Sequence, residues 1–97
     1  MLRIERITNG QVVFTLSGRL QKEDIEQVQQ LLVVEPPGQP LVLDLRNVTL
    51  VNQDAVTFLA HCEAKGIEIE SCPLHIRTWI DREKRRNRQR RQKKDMH

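Results

Sequence analysis

The sequence predicts a small α/β domain with the element order strand, strand, helix, strand, helix, strand, helix. Three observations support this fold class. Short apolar runs alternate with stretches of helical periodicity, an Asn-Gly pair separates the first two runs, and the run LVLDL at 41–45 has the nearly continuous apolar character of a strand buried on both faces. Two strand–helix–strand crossovers should be right-handed, which predicts a four-stranded mixed sheet with the helices largely on one face.

The first two strands are predicted on either side of Asn9-Gly10. Leu2, Ile4 and Ile7 mark the first strand, and the apolar run from Val12 to Leu16 marks the second, which should end near 17–18. Asn-Gly between apolar runs is the strongest short hairpin signal, and we expect a two-residue connection here. The two strands should therefore be antiparallel neighbours.

The first helix is predicted from about Glu23. Its apolar side chains recur at three- and four-residue spacing: Ile25, Val28, Leu31 and Leu32. Glu23 and Asp24 lie in the first turn, where negative charge suits the helix dipole. Pro36-Pro37-Gly38 should end the helix.

The centre of the chain predicts a buried strand, a loop and a second helix. We expect the strand at Leu41–Leu45, the loop at Arg46–Val51 and the helix from about Gln53 to Lys65. Gly66 then stands where a left-handed residue commonly ends a helix.

A last strand and a last helix complete the pattern. Ile67 and Ile69 alternate with glutamates, and Pro73 is well placed to open a helix. After Ile80 no apolar residue occurs until Met96. The sequence therefore predicts a domain at 1–83 and a basic tail at 84–97, as an extended helix or disordered.

Charge is divided unevenly along the chain. The net charge is +3, but residues 1–81 carry seven basic and eleven acidic side chains, whereas residues 82–97 carry nine basic and two acidic ones. An acidic body with a basic tail predicts two electrostatically distinct parts.

Several functional classes find no support in the sequence. The two cysteines and nearby histidines match no metal-ligand spacing, and there is no Gly-rich phosphate loop and no defensible Ser-His-Asp spacing. No apolar run approaches the roughly 20 residues of a membrane span, and the start lacks the apolar region of a signal peptide. We expect a cytoplasmic protein that is not an enzyme and has no cofactor, no metal and no membrane insertion.

Three stretches resemble the STAS domain, a family that includes bacterial anti-sigma-factor antagonists and cytoplasmic domains of sulfate transporters. They are LSGRL at 16–20, DLRNVTLVNQDAVTFL at 44–59 and KGIEI at 65–69. The resemblance covers roughly residues 3–83. It implies a small STAS-like sandwich and a regulatory module that binds other proteins.

The family's central pattern is Asp-Leu, two residues, Val-Thr, two apolar residues, then Asp-Ser-Ser-Gly. Asp44, Leu45, Val48 and Thr49 match its first part. The second part differs at every position: Asn52, Gln53, Asp54 and Ala55 replace Asp, Ser, Ser and Gly.

The resemblance places Asp54 where a partner kinase phosphorylates serine in anti-sigma antagonists. An aspartate cannot accept a phosphoryl group from a kinase that acts on hydroxyls, so phosphorylation would not switch this position. The carboxylate of Asp54 would then either imitate a phosphoserine or be recognised by a partner that has adapted to a permanent carboxylate. The alternative is that Asp54 is only a favourable carboxylate in the first turn of a helix, worth about 0.5–1 kcal/mol. Both interpretations remain open.

The leading functional prediction is an anti-sigma-antagonist-like module that docks on an anti-sigma factor or kinase-like partner. Its candidate site residues are Asn47, Thr49, Asn52, Gln53, Asp54 and Thr57. A second prediction is nucleic-acid binding through the basic tail at 82–94, with candidate residues Arg85, Arg86, Arg88, Arg90 and Arg91. A third is an accessory subunit of a lipid-transporting ABC system. The sequence leaves the oligomeric state open.

Overall fold

Seven elements follow one another in the predicted order. The computed structural model of the protein describes the backbone of residues 2–95 and side chains from Leu2 to Arg86. The elements are β1 (Leu2–Thr8), β2 (Val12–Leu20), α1 (Lys22–Val33), β3 (Leu41–Val51), α2 (Gln53–Ala64), β4 (Glu68–Glu70) and α3 (Leu74–Asp95).

The four strands form one mixed sheet in the order β1-β2-β3-β4. β1 pairs antiparallel with β2, and β2, β3 and β4 run parallel to one another. The α1 and α2 crossovers supply the two parallel connections, because parallel neighbours cannot be joined by a tight turn. The predicted fold class is confirmed.

The β1–β2 connection differs from the predicted two-residue turn. Thr8 pairs with Val12, so three residues, 9–11, form the turn. Gly10 has a φ of 77°, and the Asn9 N–H donates to the Gln11 carbonyl at 3.0 Å. Three-residue hairpin loops commonly need one left-handed residue, and glycine takes that conformation without steric cost.

The predicted loop at Arg46–Val51 is wrong, because β3 continues through these residues to Val51. Likewise β2 extends beyond its predicted end to Leu20, and its second half pairs with the second half of β3. Two register shifts interrupt this pairing. On a regular strand, two residues three positions apart would face opposite sides of the sheet, but Val48 and Val51 are both buried. Bulges of this kind break the two-residue alternation by which a strand is recognised in a sequence.

The core lies between the sheet and the three helices. The alternate residues Phe14 and Leu16 of β2 and Leu43 and Leu45 of β3 are at most 1% exposed. They belong to one cluster with inward-facing residues of all three helices: Val28, Ala55, Val56, Leu59, Ile76 and Ile80. The helices therefore share one side of the sheet, as the sequence predicts.

The start of α1 and the end of α2 have the residues that the sequence predicts there. Asp24, in the first turn of α1, accepts a hydrogen bond from the backbone N–H of Gln21 at 3.1 Å. Lys65 is the C-cap of α2, and Gly66 follows it with a φ of 95°, the left-handed conformation expected there. Val33 and Val34, just before the prolines, are 80% and 75% exposed.

α3 packs along α2 and extends far beyond it. Ile76 and Ile80 are fully buried, and Arg77 makes two hydrogen bonds to Glu63 of α2, at 2.6 and 2.8 Å. The helix continues to Asp95, so the predicted division of the chain near residue 83 is not marked by a helix end. None of the helices within residues 2–95 is long and apolar enough to cross a membrane.

Candidate functional site

The candidate site lies where β3 meets α2. Val51, the last residue of β3, is only 7% exposed and anchors the chain in the core. Asn52 adopts an extended conformation, and its side-chain oxygen accepts a hydrogen bond from the Ala55 N–H at 3.0 Å. Asn52 is thus the N-cap of α2, which satisfies one of the free backbone donors of the first turn.

Gln53 is held by α3. Its side-chain oxygen accepts from the Trp79 indole N–H at 3.3 Å, and its side-chain nitrogen donates to Glu83 at 3.0 Å. The same nitrogen lies 3.3 Å from the Thr57 hydroxyl. Gln53 therefore joins the start of α2 to α3, a contact that the sequence did not predict.

Asp54 is exposed in the first turn of α2. Among the side chains that the structure describes, none forms a hydrogen bond or ion pair with its carboxylate. The α2 dipole and the free N–H groups of the first turn favour a negative charge at this position. Asp54 thus presents a carboxylate that its own fold leaves available to a partner.

The other predicted site residues lie near this junction in different roles. Asn47 is exposed on β3 opposite Ser17 of β2. The Thr49 hydroxyl donates to the Gly18 carbonyl at 3.2 Å, and the Thr57 hydroxyl donates to the Gln53 carbonyl at 3.0 Å. Both threonines therefore use their hydroxyls within the protein.

Leu50 is an exposed apolar residue near the end of β3 that the sequence analysis did not identify. Its side chain is 48% exposed at the end of β3, and its register partner on β2 is the exposed Arg19. The pair Leu50-Val51 looks uniformly apolar in the sequence. The signal that could have distinguished them is strand alternation, which turns two successive side chains to opposite faces.

A groove between α1 and α2 begins beside Asp54. It is a wide depression of about 510 Å³, open to solvent, and its lining includes the polar residues Lys22, Glu26, Asp54 and Thr57 and the apolar residues Ile25 and Phe58. Lys22 and Asp54 bring opposite charges to the same groove. Asp54 therefore borders an open groove, whereas Leu50 lies on the strand that precedes α2.

The tail residues predicted for nucleic-acid binding are only partly described. Arg85 and Arg86 are exposed on α3, and a guanidinium nitrogen of Arg86 lies 3.6 Å from a carboxylate oxygen of Glu83. The side chains of Arg88, Arg90 and Arg91 lie outside the described residues.

The two cysteines are not activated. Burial raises the pKa of the Cys62 thiol to about 12, and desolvation also raises the pKa of Cys72. A nucleophilic cysteine needs a lowered pKa, so neither thiol has that character. No group of three or more potential metal ligands occurs among the described residues.

Comparison with known proteins supports the fold and leaves the function open. No protein-family model matches the chain, and no curated protein matches its sequence. A matching solved structure is an uncharacterized protein from the DUF3478 family, with a SpoIIAA-like fold, from Shewanella loihica PV-4. The TM-score is 0.52 at 20% identity, over 67% of this chain and 57% of that chain. The fold is therefore SpoIIAA-like, that is STAS-like, and this chain matches little more than half the length of that protein.

Proposed function

We propose that this protein is a non-enzymatic regulatory module that binds a partner protein through the surface formed by Asn47, Leu50 and Asp54. The observation that carries the proposal is the difference in hydrogen bonding among the three residues 52–54 at the start of α2. Asn52 and Gln53 serve the protein's own structure, whereas Asp54 presents an exposed carboxylate. The STAS-like fold and the resemblance of residues 44–59 to anti-sigma-factor antagonists point to a kinase-like anti-sigma factor as the partner, in the cytoplasm.

The chemistry of this surface suits a protein partner. Leu50 supplies an apolar side chain that a partner can bury, its register partner Arg19 is exposed beside it, and Asn47 and Asp54 are exposed polar residues on β3 and at the start of α2. Protein interfaces commonly combine such an apolar centre with a polar rim. A few central side chains then contribute most of the binding free energy.

Asp54 makes this surface permanently negative. A phosphoserine would carry about −1.5 to −2 charges and three acceptor oxygens, whereas aspartate carries one charge and two oxygens. The proposed partner therefore recognises a fixed carboxylate, and phosphorylation does not switch this position. Thr49 and Thr57 are poorly suited as phosphorylation sites in place of a serine at position 54, because their hydroxyl groups donate hydrogen bonds to backbone carbonyls.

The test is calorimetric titration of the protein with a purified kinase-like anti-sigma factor from the same organism. We expect Asp54→Ala to weaken binding about tenfold, since hydrogen bonds to charged groups contribute about 1.5–3 kcal/mol. Leu50→Ser should weaken it by a similar factor. The matched control is Glu23→Ala, which removes a carboxylate from the first turn of α1 instead.

Two results would contradict the proposal. Equal affinities for the wild type, Asp54→Ala and Leu50→Ser would show that this surface does not bind the partner. Phosphate found on Thr49 or Thr57 after incubation with the kinase and ATP would show that the protein is switched after all.

The two alternative functions stay predictions from the sequence. Nucleic-acid binding by the tail predicts an affinity that falls steeply with salt and is lost when Arg88, Arg90 and Arg91 are replaced by glutamine. A role beside a lipid-transporting ABC system predicts transporter genes next to this gene, where the leading proposal predicts a gene for an anti-sigma factor.

A further inference from the structure

The side of the sheet that faces away from the helices, called the open face below, has an ordered arrangement of side chains. The strand register joins Glu5, Thr15, Asp44 and Glu70 into one row across all four strands, called the acidic row. The next row consists of Ile7, Val13, Val42 and Glu68, called the apolar row. The alternation of strand residues places both rows opposite to the core.

The open face carries an excess of negative charge. Glu5, Glu68 and Glu70 are exposed, and Asp44 is partly exposed. Arg3 lies 3.5 Å from Glu5 at the edge strand. Within residues 2–86, where side chains are described, Asp44, Glu68 and Glu70 have no ion-pair partner. The carboxylates on β3 and β4 are therefore the part of this face that an external basic group would meet.

The apolar row gives the same face a second property. Ile7 is 50% exposed, Val13 is partly exposed, and Val42 is 1% exposed at the centre. A partner that covers this row needs aliphatic surface as well as positive charge. Arginine and lysine side chains provide both, because their methylene stems pack on apolar groups while the charged ends remain solvated.

A segment with this chemistry is present in the chain itself. Residues 82–97 carry nine basic and two acidic side chains, and no apolar residue occurs between Ile80 and Met96. α3 continues as a helix to Asp95 from its position beside α2, on the covered side of the sheet. Its 22 residues span about 33 Å, and a continuous helix on that side does not bring its end to the opposite face of the same sheet.

We propose that the open face binds the basic segment 82–94 of a second copy of this chain. The carboxylates of Asp44, Glu68 and Glu70 pair with arginine and lysine side chains, whose stems cover Ile7 and Val13. Reciprocal exchange of the two segments gives a closed dimer with two-fold symmetry, in which each copy supplies one face and one helix. The site shares no residue with the Asp54 surface, whose strand residues Asn47 and Leu50 lie further along β3 than Asp44.

The test is sedimentation velocity of the full chain, freed of nucleic acid, at about 50 mM and about 500 mM NaCl. We expect dimers at low salt and monomers at high salt, because salt screens exposed ion pairs. The double variant Glu68→Lys/Glu70→Lys and the double variant Arg90→Glu/Arg91→Glu should each be monomeric at low salt. The control Glu23→Lys/Glu26→Lys makes the same change in net charge on α1 and should still form dimers.

Mixing the two double variants makes the test specific. One variant retains an intact basic segment and the other an intact open face, so the mixture should associate although each protein alone does not. Circular dichroism checks that each variant is folded, and a synthetic peptide of residues 82–97 should compete with wild-type dimerisation. A monomeric wild type at low salt, or dimers that persist in both double variants, would overturn the proposal. So would a wild type that associates only when nucleic acid is added.

Discussion

At the scale of single residues, three neighbours at the start of α2 have three different roles. Asn52 caps the helix, Gln53 contacts α3 and Asp54 faces the solvent. The resemblance of this stretch to the STAS pattern treats all three as one functional site. The hydrogen bonds separate them, since a side chain engaged inside the protein is less available to a partner.

The N-cap role of Asn52 gives a prediction about stability. Asn52→Ala should reduce the free energy of unfolding by about 1 kcal/mol, because the Ala55 N–H loses its acceptor. Asn47→Ala, at an exposed position of β3, should change it by less than about 0.5 kcal/mol. Urea unfolding measured by circular dichroism compares the two variants. An equal effect of both substitutions would contradict the assignment of Asn52 as the cap.

At the scale of elements, Glu63 holds α3 against α2. It accepts two hydrogen bonds from Arg77 and one from Lys84 at 3.3 Å. Arg77 also bonds to Asp81 within α3. The Arg77 hydrogen bonds lower the pKa of Glu63 below its ordinary value of 4.5, partial burial opposes this shift, and Lys84 adds to it.

The lowered pKa predicts how stability depends on pH. Since the unfolded chain protonates Glu63 at higher pH than the folded protein does, the stabilisation is complete above pH 4.5 and is lost as the pH falls through the lowered pKa. Glu63→Gln should cost about 1 kcal/mol at neutral pH, as this pair is partly exposed. The difference from wild type should shrink below pH 4.5.

Urea unfolding of wild type and Glu63→Gln between neutral and acidic pH measures this difference. Glu26→Gln serves as the control, because Glu26 is an exposed carboxylate on α1. A gap between wild type and Glu63→Gln that stays constant with pH would show that the ion pair does not stabilise the contact between α2 and α3.

At the scale of the whole molecule, one apolar layer between the sheet and the helices supports the fold. The core is almost entirely aliphatic, with Phe14 and Phe58 as its only buried aromatic side chains within residues 2–86. A domain of this size has a total stability of about 5–15 kcal/mol. Loss of one central side chain should therefore remove a large part of it.

Leu59→Ala tests the central position of α2 in this layer. Leu59 is 0% exposed, so the substitution should lower the free energy of unfolding by about 3 kcal/mol through lost burial and a residual cavity. Val33→Ala removes apolar atoms from a residue that is 80% exposed, and we expect a change below about 0.5 kcal/mol. Thermal and urea unfolding of both variants measures the difference. Similar losses would show that the core does not depend on α2.

The sequence by itself determined the order and type of all seven elements. Local signals were sufficient here, because residue spacing distinguishes a helix from a strand and Gly66 or Pro36-Pro37 end helices through their own backbone geometry. The same signals placed the candidate site at the start of α2, since a buried strand followed by a helix exposes free N–H groups at that point.

Only the tertiary structure decided the length of β3 and the composition of the site. The exposure of Leu50 depends on how β3 is paired with β2, and the bulges in that pairing are set by residues about 30 positions away. Likewise, Gln53 is occupied because α3 brings Trp79 and Glu83 to it. The sequence shows a side chain's chemistry, but contacts between distant elements determine whether that side chain remains free to bind a partner.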